Sequence, residues 1–191
     1  MAGTVTRFDT VVGLDLSLTA TGIAVSTPGL KPWCGVIESA GKKGDPWETR
    51  YKRLGHILYR ILPAIPDGAL VVMEAPSYGS VTGHQHDRSG LWWMTYDLLA
   101  GSTRTVVPVE PTIRAKYGTG KGTSGKDAVL AAAVRRYPHI DINTNDEADA
   151  VILMAIGCRL IGAPIDDPLP VLQLAALNNL HLPEALTRRA A

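Results

Sequence analysis

Four carboxylates carry the chemistry of this sequence: Asp15, Glu74, Asp146 and Asp149. Asp15 is the one acid in residues 11–25 (VVGLDLSLTATGIAV), two apolar runs joined by a Thr/Gly turn. Strand alternation puts Val11, Gly13, Asp15 and Ser17 on one face and Val12, Leu14 and Leu16 on the other. Aspartate is a poor strand former, and its charge at the edge of an apolar sheet must be compensated or neutralised. A divalent metal would compensate it, given further oxygen ligands. Glu74 ends residues 69–74 (ALVVME). Such an apolar run reads as a buried strand crossing the middle of a sheet, and in open α/β sheets ligands bind at the carboxyl ends of strands. Asp146 and Asp149 are three apart on a helix and share a face, with Glu147 turned away from them. Hard oxygen ligands of this kind bind Mg²⁺ or Mn²⁺, and two ions about 4 Å apart can activate a water and stabilise the leaving oxygen in phosphodiester hydrolysis. The helix pair alone has a plainer explanation, acids complementing the dipole of a first turn. Four acids in this order of elements favour the metal site.

The elements that must position these acids follow from patterning. Residues 33–39 (WCGVIES) read as a third strand after a Pro/Gly turn, so the first three strands form an antiparallel meander. Asp45, Pro46 and Glu48 read as the N-cap, first and third residues of a helix. Trp47, Tyr51, Leu54, Leu58, Ile61 and Leu62 then recur at helical spacing, predicting an amphipathic helix over 46–62 with Trp47 and Tyr51 packed on the core. A loop over 75–87, rich in Gly, Ser and His, precedes a helix over 89–99 that contains Trp92, Trp93 and Tyr96. Residues 105–109 (TVVPV) read as a strand, with Pro108 pointing to a sheet edge. Residues 111–125 read as a basic, Gly-rich segment and 126–137 as a helix. Asn145 reads as the cap of an apolar helix over 146–161 (DEADAVILMAIGCRLI). The order β-β-β-α-β-α-β-α-α predicts an α/β fold: a five-stranded mixed sheet, first three strands antiparallel, flanked by helices. The Pro- and Leu-rich residues 164–191, with short helices over 169–180 and 183–189, read as an extension packing on the domain or on a partner chain.

A chain of 191 residues suits one domain with a real core. No apolar run approaches the roughly 20 residues of a membrane span and no signal-peptide pattern opens the chain, so a soluble, cytoplasmic protein with no membrane partner is expected. Cys34 and Cys158, far apart and without a CxxC, suggest neither a disulfide framework nor structural zinc. Net charge is only +1, yet between residues 101 and 139 Arg104, Arg114, Lys116, Lys121, Lys126, Arg135 and Arg136 face only Glu110 and Asp127. A basic surface beside an acidic pocket suits a metal-dependent nuclease, which must hold phosphates and yet bind cations. A solvated charged face accounts for the same residues equally well.

Three segments together resemble the RuvC-type Holliday junction resolvases of the ribonuclease H-like superfamily: GLDLSLTATG on the first hairpin, VVMEAP ending the fourth strand, and NDEADAVILMAIG on the late helix. The resemblance spans residues 11 to about 162. It implies a ribonuclease H-like nuclease domain over 1–162 and a C-terminal helical extension over 163–191. It implies Asp15, Glu74, Asp146 and Asp149 as catalytic metal ligands for Mg²⁺ or Mn²⁺, two ions per site. It also implies a homodimer that nicks two opposed strands of a four-way DNA junction, a natural match of two-fold symmetries. Lys126, or by spacing Lys121, matches the family's catalytic lysine, a cation that would stabilise charge developing on the scissile phosphate; a phosphate-contacting or solvated lysine is the other reading of either. Tyr78 could stack on a base at the crossover. Arg114, Lys116, Lys121 and Lys126 read as DNA-binding, and Trp92 and Trp93 as dimer or core residues. His84 and His86 lack companion ligands for zinc and read as loop histidines near DNA.

Rival readings meet specific obstacles. Residues 120–126 (GKGTSGK) satisfy GxxxxGK, but Asp127 stands where a P-loop needs Ser or Thr, and no apolar strand precedes. The first hairpin also resembles the phosphate hairpin of the actin-like sugar-kinase and chaperone superfamily, whose members need two such domains. A non-catalytic module holding branched DNA on the basic face remains, and the intact set of acids argues against it.

Overall fold

Short apolar runs build one mixed sheet from β1 (Val11–Asp15), β2 (Ala20–Ser26), β3 (Trp33–Glu38), β4 (Leu70–Glu74) and β5 (Thr105–Val109), in the order β3-β2-β1-β4-β5. The structure, a computed structural model, describes residues 8–76 and 84–183. β1 to β3 form the antiparallel meander, whereas β1 to β4 and β4 to β5 pair in parallel. The carboxyl ends of β1, β3, β4 and β5 therefore share one edge of the sheet. Pro108 lies on β5, an edge strand, where a missing N–H is tolerated.

Helices cover both faces: α1 (Trp47–Ile61) and α2 (Gln85–Ala100) on one, and α3 (Pro111–Thr119), α4 (Lys126–Arg136) and α5 (Asn145–Leu160) on the other. Period-two alternation divides the strands between two cores. Val11, Leu70 and Val72 pack beneath α5, while Val12, Leu14, Val71 and Met73 meet Leu54, Ile57, Leu58, Ile61 and Leu91. Lying across the sheet, α5 is buried from Ala148 through Cys158, as expected of a helix without a polar face. Two glycines permit its close approach. A Cβ on Gly13 would stand 2.0 Å from the Ala150 carbonyl oxygen, and one on Gly22 2.0 Å from that of Asp146.

Several local expectations are corrected. The basic segment after β5 opens with a helix, α3, carrying Pro111 at its first turn and Gly120 in the left-handed conformation at its end. Asp45 does not cap α1; its carboxylate accepts the backbone N–H of Lys42 at 2.7 Å, and Pro46 occupies the cap position. The cap of α5 is Thr144 rather than Asn145, in a reciprocal capping box with Glu147. α2 begins at Gln85, so His84 is its N-cap and His86 lies within it. Trp47 and Tyr51 are 77% and 66% exposed rather than packed.

After α5, Asp166 accepts the hydroxyls of Tyr117 (2.8 Å) and Tyr137 (3.0 Å) and pairs with Arg159. Leu169, Leu177, Leu180 and Leu182 pack on the α5 core. This stretch holds the short helix α6 (Val171–Leu174) and a 3₁₀ turn, Ala175–Leu177. The helix expected over 183–189 falls almost wholly outside the described residues. Among the described residues, no helix is long and apolar enough to cross a membrane.

Candidate active site

Asp15 is the last residue of β1 and Glu74 the last of β4, each one position beyond the paired residues Leu14 and Met73. By alternation both belong to the face covered by α5, since Val11 and Gly13 on β1, and Leu70 and Val72 on β4, face that helix. Asp15 is the register partner of Gly22, the residue over which the Asp146 carbonyl lies. The first turn of α5, with Asp146 and then Asp149, is thereby set down on the sheet beside Asp15. The Thr144 capping box fixes where that turn starts: Thr144 Oγ1 accepts the Glu147 N–H at 3.2 Å, and Glu147 Oε2 accepts the Thr144 N–H at 2.9 Å. Glu147 is thus occupied away from the acid pair.

The four acids feel one another. Burial, then repulsion from Glu74 and Asp149, raises the pKa of Asp15 well above the usual carboxylate value; Arg114 opposes this and Asp146 adds to it. Burial also pushes Asp149 up to about 6, with Glu74 and Asp146 adding to it and Arg114 and Lys126 holding it down.

Arg114 takes a different place from the one its basic sequence context suggests. It was expected on a DNA-binding surface but is buried, 8% exposed, with Nε donating to Glu74 and Nη1 to Asp149. Burial acts against its charge, yet Glu74, Asp149 and Asp15 outweigh burial and raise its pKa. A guanidinium presents a planar fork that can serve two carboxylates at once. α3 makes this possible: Glu110 and Pro111 start the helix at the carboxyl end of β5, and Arg114 one turn later reaches across to β4 and α5.

Two other expected surface cations are also structural. Arg104 donates to the Ile65 carbonyl at 2.9 and 2.7 Å, and Arg136 to the carbonyls of Tyr117 and Gly118 at 3.1 and 2.7 Å. Lys116 is half-buried on α3, Lys121 exposed in the following turn, and Lys126 exposed at the first residue of α4. Of these, Lys126 is the one whose charge acts on Asp149. Tyr78 lies outside the described residues.

A cleft of about 510 Å³ opens beside the acids, lined by Asp15, Glu74, Gln85, Arg88, Trp92 and Trp93 among others. Trp92 is buried and its Nε1 donates to the Glu74 carbonyl at 2.8 Å, tying α2 to the end of β4; Trp93 is 62% exposed. Among the described residues, no three His, Cys, Asp or Glu side chains are drawn into a ligand cage, and Arg114 spans Glu74 and Asp149. The donor chemistry nevertheless fits a hard divalent cation: acidic oxygens at a buried sheet edge, one of them Asp15, which needs positive charge to remain ionised.

This architecture recurs in a solved structure of Thermus thermophilus RuvC, with a TM-score of 0.59 and 18% identity over 84% of this chain and 99% of that one. The fold is that of RuvC. A second structure, T. thermophilus RuvC in complex with a Holliday junction substrate, matches with the same TM-score and coverage at 16% identity. No protein-family model and no curated protein matches the sequence. The RuvC-like sheet order is the one that brings the ends of β1 and β4 side by side.

Proposed function

We propose that this protein is a metal-dependent, structure-selective DNA endonuclease that resolves four-way junctions by paired nicks in opposed strands. The observation that carries this reading is the convergence of Asp15, Glu74, Asp146 and Asp149 at one sheet edge of a RuvC-like fold. One of the two RuvC structures sharing that fold holds a Holliday junction.

Asp15, Glu74, Asp146 and Asp149 would hold Mg²⁺ or Mn²⁺. When bound, two such ions activate a water and stabilise the leaving oxygen of a phosphodiester. The chain's own residues do the rest. Half-buried Asp15 and buried Asp149 supply charge where little water competes for it, and Lys126 at the start of α4 offers a cation to the scissile phosphate. Lys116 and Lys121 extend positive charge along one flank for the DNA backbone. Residues 1–162 form the nuclease unit in this reading, with 163–191 a C-terminal extension, and two copies act as a two-fold dimer on a two-fold substrate.

One observation favours a second reading, a non-catalytic branched-DNA module: Arg114 already pairs with both Glu74 and Asp149. Cleavage separates the two. Incubated with a synthetic junction, a flap and a linear duplex in Mg²⁺ or Mn²⁺, the wild type should cut the junction. Asp15→Asn should bind it and leave it whole. Tight junction binding by the wild type with no cutting in either metal would select the module.

A further inference from the structure

α1 begins beyond the end of the sheet that it covers. Trp47, Leu54 and Ile61 are seven apart and share one azimuth, yet Leu54 and Ile61 are buried while Trp47 is 77% exposed. Arg53 shows why. Its side chain donates to the carbonyls of Leu18 and Ser39, in the β1–β2 turn and just past β3, so this level of the helix already stands at the carboxylate edge. Residues 47–50, one to two turns earlier, project past that edge with no strand beneath them.

One face of the protruding ring is backed by an arginine. The Arg50 guanidinium lies 4.1 Å from the Trp47 ring centroid. Arg50 is itself fixed by Asp87, with Nε donating at 2.9 Å and Nη2 forming a second bond. Asp87 sits in the first turn of α2 beside Arg88, which lines the acidic cleft. A chain of contacts therefore runs from the cleft rim to Trp47. Lys42 and Lys43 are exposed in the preceding loop, where Asp45 accepts the Lys42 N–H, and Glu48 pairs with Lys52 at 2.6 Å. An exposed aromatic ring, backed by arginine and flanked by lysines, is the composition of a base-stacking platform for single-stranded nucleic acid.

We propose that Trp47 stacks on an unpaired base of a DNA strand that passes from the acidic cleft over the start of α2 to the start of α1. Resting on the nuclease reading, this assigns the site a second contact, specific for unpaired nucleotides. Arg50 and Asp87 are positioning residues for the ring.

The test is equilibrium binding in EDTA to a labelled junction with unpaired nucleotides at its centre and to a linear duplex of equal length. Trp47→Ala should weaken junction binding by about 5- to 150-fold, the range of one lost base–aromatic stack. Duplex binding should change less than about twofold, and the slope of log affinity against log salt should stay unchanged because no phosphate contact is lost. Trp47→Phe should retain most of the affinity. Tyr59→Ala, an equally exposed aromatic at the far end of α1, should bind as the wild type does. Wild-type junction affinity in Trp47→Ala, an equal loss on duplex, or dissociation of a dimer in sedimentation would each overturn the proposal while leaving the nuclease reading in place. Wild-type protein that binds neither DNA would overturn both.

Discussion

Replacing Arg114 by glutamine exposes the charge balance of the candidate site. Arg114 is 8% exposed and bonds Glu74 and Asp149, with Asp15 also contributing to its raised pKa. Removing one partner of a buried ion pair, and so stranding the other charge, costs about 3–5 kcal/mol. A chain of this size loses roughly 2–4 °C in melting temperature per kcal/mol, so Arg114→Gln should melt about 6–20 °C below the wild type in EDTA at pH 8. The stranded carboxylates would then accept another cation. Saturation to a hundred times Kd adds about 2.7 kcal/mol, so Mg²⁺ or Mn²⁺ should restore roughly 5–11 °C, and more to the variant than to the wild type, whose guanidinium competes for the same oxygens. Thermal melts across a metal titration measure both quantities. A variant melting within about 2 °C of the wild type in EDTA, or one that gains nothing from either metal where the wild type gains, would refute the assignment of Arg114 as internal counter-ion.

Further expectations concern pH, capping and packing. Asp149 keeps its proton up to about pH 6, whereas an unfolded aspartate releases it near about pH 4. The folded state therefore binds the extra proton in that window, and the contribution of Asp149 to stability in EDTA should fall as pH rises through it and level off above. Asp149→Asn should flatten this slope; a wild type that gains stability over the same window relative to the variant would contradict it. Thr144→Ala removes the cap that seats the first turn of α5, and should lower stability by about 1 kcal/mol in urea titration while weakening metal affinity. Gly22→Ala would push a Cβ to 2.0 Å from the Asp146 carbonyl. It should move α5 off the sheet, visible as lost near-UV circular dichroism or loss of the folded species, whereas an added methyl on Gly55 meets nothing and should leave the spectrum unchanged.

Patterns that depend on one element alone were legible in the sequence. Alternation around Asp15 gave the face that meets α5, the apolar run ending at Glu74 gave a central strand, and Pro108 marked an edge. What escaped depended on depth and on partners. Arg114 has the same letter as a surface arginine; only the neighbouring ends of β4 and α5 make it an internal cation. Glu110-Pro111 and Gly120 did signal a helix start and stop for α3, obscured by the basic, Gly-rich composition between them. The Thr144-x-x-Glu147 spacing likewise announced the true cap of α5. For Trp47 the azimuth read correctly, but helical periodicity contains no information about where the underlying strands stop.

Paired cutting of branched DNA by the acid cluster is read out by strand mapping. A four-way junction labelled on each strand in turn, incubated with wild-type protein and Mg²⁺ or Mn²⁺, should yield symmetric nicks in two opposed strands, with none in Asp15→Asn. Equal cutting of the linear duplex, or nicks that persist in Asp15→Asn, would contradict it.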